Sequence, residues 1–166
     1  NSGCHGQQLH YLIMIDGQLH GILSGASAVY GVKSRDEFFG IAKERELRHA
    51  QLSSIISNVV YRLENAPRNA ATQVLALWRK QIAADWETLY QVKVAGFETF
   101  VIEGSHDDRE RVCTDRHRTG ALYRADNWEM LGVTAGNTKV HSTAASSGGM
   151  GAAHTRKQVC RKLIFA

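Results

Sequence analysis

The chain has 166 residues, of which 43% are hydrophobic and 22% charged, and this balance excludes an intrinsically disordered protein. No apolar run approaches the roughly 20 residues that cross a bilayer, so the sequence predicts no transmembrane helix and no membrane partner. Three widely spaced cysteines without a CxxC pair argue against a disulfide framework and predict a reducing compartment. The length fits one domain over residues 1–166, and the missing initiator Met leads us to expect an N-terminally trimmed fragment.

The formal net charge of +4 is unevenly distributed along the chain. From Thr119 to the end there are six basic residues against the two acids Asp126 and Glu129, a balance of 6 − 2 = +4, so the preceding part is neutral. A basic C-terminal third fits a surface that faces phosphates. It also fits an ordinary solvated basic face.

The first half of the chain reads as a hairpin, an irregular segment and a strand. In "LHYLIMIDGQLHGILSG", Asp-Gly between two apolar runs predicts a hairpin of Tyr11–Ile15 and Gln18–Leu23. The mixed segment "SRDEFFGIAKERELRHA" predicts a loop with a short helical piece. The β-branched residues of Ser53–Glu64 predict a buried strand.

The second half reads as a long helix followed by shorter elements. After Asn69, apolar residues at helical spacing predict the long helix, namely Val74, Trp78, Ile82, Trp86 and Leu89. The segment Gly96–Glu103 is predicted as a strand. Since side chains alternate between the two faces of a strand, Glu98 and Phe100 lie on the face opposite Phe97 and Thr99. An exposed loop at 104–118, a short helix from Thr119 to about Met130, a small-residue loop at 144–153 and a closing strand in "VCRKLIFA" follow. The sequence therefore predicts an α/β sheet with helices packed on it.

The segment "NAPRNAAT" joins the strand to the long helix and is the first candidate site. The first amides of a helix lack internal partners, and the helix dipole favours an anion there. Asn69 offers a cap, small alanines leave room for a phosphate, and Arg68 adds charge, so a pyrophosphate position is one interpretation. A plain Asn N-cap after a proline turn is the other.

Polar groups on the short helix and on the later strand are further candidates. Tyr123 and Asn127 stand four apart on one side with Asp126 beside them, which suits either substrate orientation and proton transfer or a hydrogen-bonded surface helix. Glu98 shares a strand face with Phe100, so it is either ion-paired or a general base in a cleft. The eight scattered histidines lack zinc-ligand spacing, so a metal requirement stays unknown. The absence of GxxxxGK[ST], GxSxG and GxGxxG motifs argues against P-loop NTPases, α/β-hydrolases and Rossmann dehydrogenases.

Six blocks in order resemble one superfamily: "YLIMIDGQLHGILSGAS", "RDEFFGI", "IISNVVYRL", "RNAATQVLALWRKQIAADWETLY", "GFETFV" and "ALYRADNWEMLGVTAG". It contains the phage Mom-like DNA-adenine modification proteins and the Druantia A-type anti-phage defence domains. The resemblance implies a GNAT-like, mixed and mostly antiparallel sheet that lacks N-terminal elements. It implies a cytoplasmic protein of a phage or prokaryotic cell.

The Mom-like branch implies a transferase that modifies N6 of adenine in DNA with a carbamoylmethyl-type group, which protects the DNA from restriction. An acyl-CoA-like donor, such as acetyl-CoA, is implied at the phosphate turn, which consists of Arg68, Asn69, Ala71 and Thr72. This turn lacks the glycines of the usual acetyl-CoA loop. The implied catalytic residues are Glu98, Tyr123, Asp126 and Asn127. The predicted substrate and DNA contacts are Ser24, Ser27, Phe39, Asn58, Arg124, Lys139, Arg156, Lys157 and Arg161. Gly40 matches the family motif that follows the hairpin.

Two other functions fit the same sequence. The Druantia-type branch allows a non-catalytic DNA-binding defence module, and a small-molecule N-acyltransferase is the third reading. The basic C-terminal third argues against the acyltransferase. An opening between the strands at Ser53–Glu64 and Gly96–Glu103 would favour a cofactor-binding enzyme, whereas a closed sheet would favour the binding module. The oligomeric state is not predicted.

Overall fold

The computed structural model describes residues 6–102, 119–134 and 162–166. Within these ranges the elements, in chain order, are β1 (Gln8–Ile15), β2 (Gln18–Ser27), α1 (Lys33–Phe38), α2 (Arg45–Ser53), β3 (Ile55–Leu63), α3 (Ala70–Tyr90), β4 (Gly96–Ile102), α4 (Ala121–Ala125), β5 (Met130–Val133) and β6 (Lys162–Phe165). The strands form one sheet in the order β1-β2-β3-β4-β6-β5. Only the β3–β4 pair among them is parallel, so the predicted mixed, mostly antiparallel α/β fold is confirmed.

The predicted hairpin is confirmed, with longer strands than the sequence indicated. Asp16 and Gly17 have φ angles of 49° and 78°. Positive φ at both central residues is what a type I′ turn needs, and such a turn matches the twist of the paired strands. The pairing runs from Ile15↔Gln18 to Gln8↔Ala26, with a register shift between Ile13 and Met14.

Helices cover both faces of the sheet. On one face α3 buries Trp78, Ile82 and Trp86 against strand residues such as Ile56 and Phe165. The preceding residue of β3, Ile55, points to the other face by strand alternation, where it packs with Leu52 of α2 and Ala28. We call these the α3 face and the α1–α2 face.

The segment predicted as a loop with one short helical piece contains two helices, α1 and α2. Each buries a single side chain, Arg35 in α1 and Leu52 in α2. With one buried position per helix there is no apolar repeat for sequence periodicity to detect. Tertiary contacts beneath these helices, rather than local pattern, therefore decide their formation.

The predicted long helix is confirmed, although its apolar stripe runs differently at both ends. The buried stripe is Leu75, Trp78, Ile82 and Trp86, and Tyr90 continues it with its ring 4.8 Å from that of Trp86. Leu89, predicted in the stripe, is 62% exposed. Its inclusion in the buried stripe was therefore wrong, although a spacing of three residues from Trp86 keeps a side chain near the same side of a helix.

The predicted helix from Thr119 to about Met130 is much shorter in the structure. Helix α4 begins after Gly120, with φ 71°, and Asn127, with φ 62°, follows its end. Met130 instead begins β5, which pairs with β6 from the end of the chain. The predicted loops at 104–118 and 144–153 lie outside the described residues. None of the helices in the described part of the chain has the length and apolar composition of a membrane span.

Candidate functional site

The sheet parts between β3 and β4. Their parallel ladder has four pairs and ends at Asn58↔Thr99. From Thr99 to Ile102, β4 pairs with β6 on its other side, while β3 continues to Leu63. Within the described ranges the two strands share no pair beyond Asn58. The hydrogen-bonded pairing of the two strands therefore ends at Asn58, within the segments between which the sequence predicts an opening.

Asn58, which is 5% exposed, has partners for its whole side chain at this point. Its Nδ2 donates to the carbonyls of Ser24 at 3.1 Å and Val60 at 3.2 Å. Its Oδ1 accepts a hydrogen bond of 2.7 Å from the hydroxyl of Tyr123 in α4. The Thr99 hydroxyl donates to the Asn58 carbonyl at 3.1 Å. Tyr123 is thus fixed at the parting of the strands as part of a satisfied buried network.

Asp126, directly after α4, is held from two sides. Arg79 of α3 donates from Nη2 to Oδ1 at 3.0 Å, and its Nε lies 2.9 Å from Oδ2 without aiming its hydrogen at that oxygen. The indole of Trp128 donates to Oδ2 at 2.8 Å. This carboxylate therefore ties α4 to α3. The neighbouring Asn127 is exposed.

Tyr61 of β3 belongs to the same group and was missed by the sequence prediction. Its hydroxyl donates to the Ala71 carbonyl in the first turn of α3 at 2.7 Å. Burial, with smaller contributions from Tyr123 and Asp126, raises the pKa of Tyr61 well above its usual range. The only available signal was its position on the strand that leads into the phosphate turn.

Glu98 lies on the α1–α2 face, where it forms a buried ion pair with Arg35. Nη1 of Arg35 donates to Oε2 of Glu98 at 2.6 Å, and neither side chain is exposed to solvent. Burial raises the pKa of Glu98 to about 7, although Arg35 and the Ser57 hydroxyl both favour the ionised form. Its Oε1 has no hydrogen-bond partner at normal distance within the described part of the chain.

The four predicted catalytic residues therefore do not form one constellation. Tyr123 and Asp126 lie together on the α3 face with Asn127 adjacent in sequence, whereas the sheet separates them from Glu98. Alternation along β4 explains this, because Thr99 faces Asn58 and the neighbouring Glu98 must point the other way. The sequence placed Glu98 on the correct strand face, but it did not show on which face α4 packs.

The predicted phosphate turn stands at the amino end of α3 without a capping side chain. Asn69 adopts the left-handed conformation with φ 66° and makes no capping hydrogen bond with its side chain, so the predicted cap was wrong. The Thr72 hydroxyl instead donates back to the Asn69 carbonyl at 3.2 Å. Arg68 is exposed. Ala71 contributes its carbonyl to Tyr61.

The predicted substrate and DNA contacts are scattered. Ser24 is buried with its hydroxyl 2.9 Å from Nδ1 of His10, and half-buried Phe39 lies against Gly96. Ser27 is half-buried and Gly40 exposed. Arg124 is exposed and places its guanidinium over the Phe165 ring at 5.7 Å. Lys139, Arg156, Lys157 and Arg161 lie outside the described residues.

No cluster of three His, Cys, Asp or Glu side chains that could hold a metal ion occurs within the described ranges. The polar groups that the structure does assemble, around Asn58 and Asp126, consist of hydroxyl, amide, carboxylate and guanidinium groups already bonded to one another.

A protein-family model, described as Druantia protein DruA, matches residues 1–162. The chain belongs to this family. The match confirms the Druantia A-type part of the predicted resemblance, while its Mom-like and GNAT-type parts stay predictions. No curated protein matches the chain in sequence.

Proposed function

We propose that this DruA-family chain is a DNA-binding module of an anti-phage defence protein and does not itself modify DNA. The observation that supports this most is the separation of the candidate catalytic groups by the sheet. A general base or acid must reach the substrate with a free lone pair or proton. Tyr123 and Asp126 are engaged in structural hydrogen bonds, and Glu98 is buried against Arg35 on the other face.

Charge supports DNA as the ligand. The segment from Thr119 onwards has an excess of four positive charges, and exposed Arg124 belongs to it. Lysine and arginine at a surface bind phosphates through counterion release, which needs no base-specific contact. Arg124 lies on α4 on the α3 face, and exposed Lys33 of α1 lies on the opposite side of the sheet.

The test compares Arg124→Gln with the matched control Lys33→Gln, since each removes one exposed positive charge. We expect duplex DNA affinity to fall as salt rises, and Arg124→Gln to reduce the slope of log K against log salt by about 1. Lys33→Gln should leave that slope unchanged. Fluorescence anisotropy over a salt series measures both slopes. Equal slopes in the two variants, or no DNA binding by the wild type, would contradict the proposal.

The alternative proposal is a Mom-like transferase that modifies adenine N6 with an acyl-CoA-like donor. Two observations favour it: the parting of β3 and β4 beyond Asn58↔Thr99, and the uncapped amino end of α3 that follows β3. The Tyr123 hydroxyl stands at the parting, where a proton donor for the reaction would be needed.

Mass spectrometry of nucleosides from DNA co-expressed with the full-length protein separates the two proposals. A transferase predicts a modified adenosine that Tyr123→Phe abolishes and the exposed-site control Tyr30→Phe preserves. Unmodified adenine in every sequence context, together with salt-dependent DNA binding, would leave the binding module as the function.

A further inference from the structure

An open pocket lies between the β1–β2 turn and the segment that joins β3 to α3. Its volume is about 460 Å³, within the usual range for small-molecule sites. It is lined by the polar residues Asp16, Gln18, His20 and Asn65 and by the apolar residues Ile15, Ala66 and Pro67. It is separate from the Asn58 and Asp126 groups described above.

The hydrogen bonding of His20 defines what this pocket offers. Nδ1 of His20 lies 3.0 Å from the carbonyl oxygen of Glu64. A carbonyl can only accept, so Nδ1 carries the hydrogen in the neutral ring and Nε2 is left as an acceptor. The Asp16 carboxylate adds two more acceptor oxygens. No lysine or arginine stands among the described residues that line the pocket, so it suits a ligand that presents amino donors.

The surroundings decide between two kinds of amino-bearing ligand. Arg68 follows Pro67 directly in the chain, and the positive end of the 21-residue α3 begins two residues later. Both would repel a lysine or arginine side chain of a protein partner. Both would attract a phosphate attached to a neutral base.

We propose that this pocket binds a nucleotide whose base has an exocyclic amino group. That amino group would donate to Asp16 and His20, the side-chain amides of Gln18 and Asn65 would meet the rest of the base edge, and the phosphate would lie towards Arg68. The ligand is a base of a DNA strand or a free nucleotide, since both present the same chemistry. The strand-bound form rests on the DNA-binding function proposed above.

The test uses the full chain with labelled single-stranded dA10, dC10 and dT10, because thymine has no exocyclic amino group. We expect dA10 and dC10 to bind about threefold to tenfold more tightly than dT10, the worth of one or two net hydrogen bonds. Asp16→Asn and His20→Phe should each bring the ratio of the affinity for dA10 or dC10 to the affinity for dT10 close to one. Asn also tolerates the φ of 49° at position 16 and forms good turns before Gly17, so the hairpin should be kept.

Removing a negative charge strengthens the binding of every oligonucleotide, so the affinity ratio and not the affinity itself is the readout. Glu37→Gln, at a 67% exposed side chain on α1, removes the same charge and should leave the ratio unchanged. Competition by AMP but not by TMP would identify a free nucleotide as the ligand. Competition by neither would assign the pocket to a strand.

The possible results distinguish failure of the pocket proposal from failure of the DNA-binding proposal. Equal binding of the three oligonucleotides by the wild type, or a preference that survives both pocket substitutions, overturns the pocket while DNA binding stands. AMP binding that Asp16→Asn weakens, without any oligonucleotide binding, supports the pocket and contradicts the DNA-binding function. Binding of neither AMP nor any oligonucleotide overturns both.

Discussion

At the scale of single residues, Arg35 connects the α1–α2 layer to the sheet. Besides Glu98 it contacts Asp36 at 2.7 Å through Nε and donates to the Val29 carbonyl through Nη2. Asp36 in turn accepts from Arg48 of α2, and Arg48 lies over the Tyr30 ring. Each of the three guanidinium nitrogens therefore donates to a partner. A buried arginine is tolerated under this condition.

The raised pKa of Glu98 gives a pH dependence with a definite sign. In the unfolded chain this carboxyl titrates near 4.5, and in the folded protein near 7. Between these values the folded state binds more protons, so the free energy of unfolding falls as pH rises through this window and levels off above it. Chemical denaturation at pH 5 and pH 8 measures this change. From pH 5 to pH 8 the free energy of unfolding of wild type should fall by about 2 kcal/mol more than that of Glu98→Gln.

An exposed acid is the control for that comparison. Glu46→Gln on α2 should follow the wild-type pH profile within error. A wild type that gains stability over Glu98→Gln as pH rises would mean that the attraction of Arg35 outweighs the cost of burial. The decisive measurement is therefore whether the stability of wild type relative to Glu98→Gln falls or rises as pH increases.

At the scale of elements, the contact between β2 and α3 depends on a missing side chain. A Cβ at Gly25 would lie 2.4 Å from Cδ1 of Ile82 and 2.8 Å from Cγ2 of Ile56. Both neighbours are fully buried, so neither can move away freely. Glycine at this position lets the helix approach the sheet closely enough to bury Trp78.

Gly25→Ala should accordingly destabilise the fold by about 1–3 kcal/mol through overpacking. Ile82→Val removes the atom nearest to the new Cβ and should alone cost about 0.5–1.5 kcal/mol. Urea denaturation of both single variants and the double variant completes a thermodynamic cycle. A double variant less destabilised than the sum of the singles is expected, and simple additivity would contradict the steric explanation.

At the scale of the whole molecule, the strand order shows where local pattern stops being informative. Strand β6, from the end of the chain, lies between β4 and β5. The parallel β3–β4 pair requires a crossover, and α3 provides it on one face. These pairings join segments far apart in sequence, and no local periodicity encodes them. The shortening of α4 follows from the same cause, since β6 recruits Met130–Val133 into the sheet.

Elements whose signal is local can be read from the amino-acid sequence alone. Asp-Gly between apolar runs predicts the hairpin, and the apolar repeat predicts α3. The alternation along 96–102 places the side chains of Glu98 and Thr99 on opposite faces of the strand. These features depend on neighbours within a few residues, so their physics is contained in short windows.

Which of these residues contact one another depends on the three-dimensional packing. It joined Tyr123 to Asn58 and Asp126 to Arg79, gave Arg35 a buried role in a helix with no apolar repeat, and put the sheet between Glu98 and α4. It also brought His20 and Asn65 to one pocket, 45 positions apart in the chain. Such encounters follow from the packing of the helices on the two faces of the sheet, and side-chain spacing along one segment cannot specify them.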